Sequence, residues 1–123
     1  MNDFVPLTVI AITVAGGLGA VARLVVGGAI QQAVRTSFPI GTLVINISGS
    51  FLLGLIMSSA LAPAGPAWLA IAGTGFCGGF TTFSTVSVDS ADLLLKRTWM
   101  RAAIYAVGTA LASFGAAALG YSI

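Results

Sequence analysis

Gly73-Thr-Gly-Phe-Cys-Gly-Gly-Phe-Thr-Thr-Phe-Ser-Thr-Val-Ser87 puts four glycines and six Ser or Thr hydroxyls into fifteen residues. Glycine weakens a helix by roughly 0.8–1.0 kcal/mol relative to alanine, and this stretch lies inside an apolar run. Main-chain groups released there cannot face lipid, where each unsatisfied group costs several kcal/mol. The stretch therefore predicts a helix that breaks near Gly78-Gly79 and turns the break toward protein, water or an ion. Broken helices at membrane depth are where ion and substrate sites are built.

Other polar residues recur at helical spacing. Thr42, Asn46, Ser50 and Gly54 follow one another every fourth residue and share a helix face. Ser, Thr and Gly on such a face also suit plain helix packing. Asn46 stands apart, because a buried carboxamide needs several partners. Tyr105, Thr109 and Ser113 form a second four-spaced stripe on an Ala-, Gly-, Leu- and Val-rich segment. Ser84 and Ser87 share a face, as do Asp89 and Asp92. Arg23 lies within an apolar run, where a charge is a functional candidate unless it snorkels to the interface.

These groups donate hydrogen bonds. The chain has no His and one cysteine, Cys77, so neither a nucleophile–base pair nor a Cys/His metal site can be assembled. The glycines lack the lysine of a phosphate loop. Carboxylates are absent from the interior of the first, second and fourth spans. Moving a bare ion into apolar surroundings costs tens of kcal/mol, and a row of donors that replaces its water shell offsets that cost. Ring edges carry partial positive charge, so Phe80 and Phe83 could meet an anion edge-on, although phenylalanines in a membrane helix are usually packing.

The elements that position these residues follow from composition. Of 123 residues, 58% are hydrophobic and 7% charged; soluble domains are roughly 25% charged. Mean hydropathy is +1.07. The net charge is only +2, and the basic residues form no nucleic-acid-binding face. The reading is an all-α membrane protein, one domain over 1–123, with four transmembrane helices of about 20 residues each. The N-terminus has no basic n-region and is taken as the first span, from Phe4 to Ile30, with Gly16 and Ala20 letting a neighbour approach. The others run from Ile40 to Ala60, Ala67 to Leu95 and Ala102 to Tyr121. The third exceeds 40 Å as a straight helix, against a hydrocarbon core of about 30 Å, and a break near its middle accommodates the excess.

Three motifs, in order along the first three spans, carry a resemblance. Gly17-Leu-Gly-Ala-Val-Ala-Arg23, Gly41-Thr-Leu-Val-Ile-Asn46 with Gly49, and Gly78-Gly-Phe-Thr-Thr-Phe-Ser-Thr85 resemble those of the Fluc fluoride channels. The resemblance covers nearly the whole chain. It implies an antiparallel dual-topology dimer with two fluoride pathways in the plasma membrane. Asn46 and Phe83 would line a pathway, with Thr42, Ser84, Thr85, Ser87 and Ser113 as hydroxyls along it and Arg23 near its vestibule. The main-chain carbonyls of Gly78 and Thr81 would hold a structural sodium ion, Na+, at the dimer centre. The chain departs from the pattern at Val86, where a second pore phenylalanine is expected, and at Asp89, where Glu is usual.

Two rivals are weaker. A small multidrug or cation transporter needs an embedded carboxylate in its first span, and none follows Asp3 there. A structural subunit without transport of its own is kept open by Val86. Charge adds a further expectation. Arg35 lies in the first connection, and Lys96, Arg97 and Arg101 lie in or beside the third, while the opposite side has no Lys or Arg. Basic short loops favour the cytoplasm. The chain should then insert one way, with both termini outside, and pair with a related chain of opposite bias as a heterodimer.

Overall fold

The computed structural model describes residues 4–59 and 61–123. Helix α1 spans Phe4–Val34 and α2 spans Ile40–Ile56. A 3-10 turn, Ala62–Ala64, leads into the third segment. That segment starts as an α-turn, Pro66–Trp68, continues as a π-helix, Leu69–Cys77, and closes with an α-turn, Gly78–Phe80. These three pieces are α3 (66–80). Helix α4 spans Ser84–Leu95 and α5 spans Trp99–Tyr121. Pro6–Val34, Pro66–Leu95 and Trp99–Tyr121 are long and apolar enough to cross a membrane, and Ile40–Ile56 is a shorter apolar helix. No strand occurs among the described residues.

The expected four apolar segments are present, with shifted ends. Helix α1 runs four residues past Ile30, because Gln31 is helical and ties down the connection that follows. Its Nε2 donates to the carbonyls of Thr36 (2.8 Å) and Phe38 (2.9 Å), and its Oε1 accepts from the Gly41 N–H (2.9 Å). Helix α2 stops at Ile56, short of the expected Ala60, which lies outside the described residues. Ser58 takes the Leu55 carbonyl with both its N–H (3.1 Å) and its hydroxyl (2.6 Å), and such local bonds compete with helix continuation. Helix α5 starts three residues before the expected Ala102.

The third segment breaks near its middle as expected, but at Thr81 rather than at Gly78-Gly79. Gly78 has ordinary helical angles, φ −62° and ψ −38°, and Gly78–Phe80 is helical. The chain leaves the helix at Thr81, φ −83° and ψ 157°, and re-enters it at Ser84. Gly79 serves packing instead: a Cβ there would overlap the Gly16 carbonyl oxygen. The small residues Gly16 and Gly19 of α1 thus let α3 lie directly against it, as Gly16 suggested. Helix α2 meets α5 the same way, and a Cβ on Gly54 would strike the Ala117 carbonyl. Gly54 is therefore a packing residue.

Candidate functional site

The break is held by a side chain from another helix. Asn46, buried in α2, accepts the Thr82 N–H at its Oδ1 (2.9 Å) and donates from Nδ2 to the Thr82 carbonyl (2.8 Å). Its carboxamide thus bonds both main-chain groups of one residue in the break. The Thr82 hydroxyl accepts the Thr85 N–H (3.1 Å), and it lies 3.2 Å from both the Ser84 and the Thr85 hydroxyls. Thr82 starts α4 much as an N-terminal capping threonine does.

Thr82 also divides two cavities. The first, about 410 Å³, is lined by Arg23, Gln31, Thr42, Thr82, Thr85 and Asp89 among others. Asp89 accepts a hydrogen bond from the Tyr105 hydroxyl (3.1 Å), and Tyr105 is fully buried. The second cavity, about 380 Å³, is lined by Asn46, Ser50, Thr82, Phe83, Val86, Thr109 and Ser113, with Thr81, Phe114 and two alanines completing the wall. No charged side chain among the described residues lines it. The Thr109 and Ser113 hydroxyl oxygens are buried and have no hydrogen-bond partner among the described residues.

The structure sorts the candidate residues into groups. Arg23, Thr42 and Thr85 meet in the first cavity. Asn46, Phe83 and Ser113 meet in the second. Ser84 and Ser87 are exposed and line neither; the Ser87 hydroxyl donates to the Phe83 carbonyl (3.1 Å). Phe83 stands 85% exposed at the mouth of the second cavity. Phe80 stacks on Phe76 with ring centroids 5.7 Å apart, which makes it a packing residue. Sequence reasoning missed Thr82, whose place as divider depends on Asn46, 36 positions earlier. Asp89 lies within α4 and bonds the buried Tyr105. The four-spaced stripe did signal Thr109.

The carbonyls of Gly78 and Thr81 lose the donors that a continuous helix would give them. In a continuous helix they would accept the N–H groups of Thr82 and Thr85. Here those donors go to Asn46 and to the Thr82 hydroxyl. Oxygen atoms released in this way suit ions such as Na+.

Comparison with known proteins places the chain. The family described as CrcB-like protein, Camphor Resistance (CrcB), matches residues 10–121. The chain belongs to this family. A protein of Leifsonia xyli subsp. xyli named Fluoride-specific ion channel FluC 1 is 49% identical over 116 residues, covering 94% of this chain and 85% of that one. Fluoride-specific ion channel FluC 2 of Cutibacterium acnes is 44% identical over 119 residues, 95% and 97% of the two chains. Fluoride-specific ion channel FluC of Gloeobacter violaceus is 44% identical over 112 residues, 89% and 90% of the two. Like its apolar helices, this membership makes the chain a multi-pass membrane protein.

Proposed function

We propose that this CrcB-like protein is a fluoride-selective channel, not an enzyme, that lets fluoride leave the cell passively across the plasma membrane. The observation that carries the reading is the second cavity. Its wall presents two buried hydroxyls without partners, Thr109 and Ser113. Leaving a buried hydroxyl unpaired costs about 1–3 kcal/mol, so both are ready for a hydrogen-bonding occupant. Fluoride is a small anion and a strong acceptor, and no carboxylate among the described residues lines the cavity to repel it. Asn46 and the Phe83 ring edge complete its polar lining, and Arg23 offers an anion a positive charge in the first cavity, where Asp89 also lies. The names of the relatives point to the same ion.

The 85% exposed Phe83 supports a second subunit. In an antiparallel dimer each chain would bring one such ring to its partner, giving two pathways. A sodium ion would sit among the Gly78 and Thr81 carbonyls of both subunits and neutralise their partial charges. The basic connections favour a heterodimer with a related chain. Arg101 Nη1 donates to the Ser37 hydroxyl (2.9 Å), and its guanidinium lies 5.9 Å from the Phe38 ring centroid. The first and third connections therefore share one end of the bundle, which collects Arg35, Lys96, Arg97 and Arg101.

The test is ion efflux from liposomes holding the purified chain, read with a fluoride electrode beside a chloride electrode. Reconstitution from detergent inserts chains both ways round, so antiparallel pairs can form from one polypeptide. The expected result is rapid fluoride efflux with chloride retained. Retention of both ions would leave the chain as a structural subunit, the role that Val86 in the cavity wall would favour.

A further inference from the structure

We propose that Asn46 and Thr82 are positioning residues for a main-chain cation site, keeping the Gly78 and Thr81 carbonyls out of helical hydrogen bonds. The assignment rests on the sodium reading above and adds to it the side chains that build the site. An uninterrupted helix would direct the Thr82 N–H to Gly78 and the Thr85 N–H to Thr81. Asn46 Oδ1 captures the first at 2.9 Å, and Thr82 Oγ1 captures the second at 3.1 Å. Asn46 Nδ2 simultaneously occupies the Thr82 carbonyl at 2.8 Å. The neighbouring Cys77 carbonyl accepts from both the Thr81 N–H (2.9 Å) and the Thr81 hydroxyl (2.9 Å). The Phe83 carbonyl accepts from the N–H (2.9 Å) and the hydroxyl (3.1 Å) of Ser87. The polar residues around the break therefore decide which carbonyls are consumed and which stay open.

The arrangement ties the cation site to the second cavity. Asn46 and Thr82 both line that cavity, and both hold the backbone that presents the freed oxygens. The break contains no glycine at Thr81, Thr82 or Phe83. Its shape comes from two captured N–H groups rather than from backbone permissiveness. Removing either capture lets the donor return to its helical carbonyl, and the cation loses a ligand.

The experiment uses the full chain in detergent, with melting temperature followed as Na+ replaces N-methylglucamine at constant chloride. Wild type and Thr82→Ser keep both captures, and their melting temperatures should rise with Na+ at the same midpoint. Thr82→Val and Asn46→Leu should need roughly tenfold more Na+ for half the rise. Equal midpoints in all four proteins would remove Asn46 and Thr82 from the cation site. No rise in wild type would remove the site itself, and the assignment with it. Amide hydrogen exchange in wild type gives a check that needs no variant. Protection at Thr82 and Thr85 should increase with Na+, and unchanged protection would count against the assignment.

Discussion

The Asn46 carboxamide needs both its ends, since one accepts from the Thr82 N–H and the other donates to the Thr82 carbonyl. Asn46→Asp keeps the shape but loses the donor and places negative charge in the wall of the second cavity. Fluoride efflux should then fall by about tenfold or more, a barrier increase of at least about 1.4 kcal/mol. Size-exclusion chromatography should still show the assembled protein, and wild-type efflux from this variant would take Asn46 out of the pathway. At this scale the sequence was partly legible. Buried Asn46 and the Thr109–Ser113 stripe stood out, because polar residues at helical spacing on an apolar helix demand partners. What those partners are was hidden. Asn46 and Thr82 are 36 residues apart, and helical periodicity says nothing about which residue on another helix a carboxamide will reach.

Between elements, the glycines of α3 do a different job from the one their number suggests. Gly78 is an ordinary helical residue, and a Cβ there meets nothing within 4 Å. Gly79 has no room, because its Cβ would run into the Gly16 carbonyl. Gly79→Ala should therefore push α3 away from α1, costing about 1–3 kcal/mol as overpacking does. Gly78→Ala should leave the helix intact and gain up to about 1 kcal/mol of helix propensity. Thermal melting of the two variants side by side measures this, and equal melting temperatures would contradict the packing assignment. Glycine clustering correctly marked the third span as irregular. It could not distinguish a glycine that frees the backbone from one that admits a neighbouring helix. The actual break, at Thr81–Phe83, is made by side-chain capture of main-chain donors, which composition alone does not reveal.

Over the whole molecule, two arginines sit where glycine would be easier. Arg35 (φ 54°) and Arg97 (φ 59°) adopt the left-handed conformation, which costs roughly 1–2 kcal/mol for an L-residue with a side chain. Around Arg97 the turn closes with Arg97 N–H to the Leu94 carbonyl and Thr98 N–H to the Leu93 carbonyl, both 3.0 Å, the bonding of a Schellman motif that usually holds glycine. Both arginines lie at the end of the bundle where Arg101 joins Ser37. Basic residues on one side favour one orientation in the membrane, and the proposed one-way insertion would use both arginines. A C-terminal topology reporter on the chain expressed alone should signal from outside only. Arg35→Gly with Arg97→Gly should relax both turns yet give a mixed signal, whereas equal signals from both sides in wild type would contradict fixed insertion. The four spans and the basic side were readable from apolar run lengths and loop charges; the division of the interior into two cavities at Thr82 was not, because it arises only when all the helices pack. The most direct test of a fluoride pathway through the second cavity is fluoride efflux from liposomes holding wild type or the double variant Thr109→Val with Ser113→Ala. Efflux should be about tenfold or more slower in the variant, with chloride retained by both. Equal fluoride rates, or chloride leaving as fast as fluoride, would contradict a fluoride pathway through this cavity.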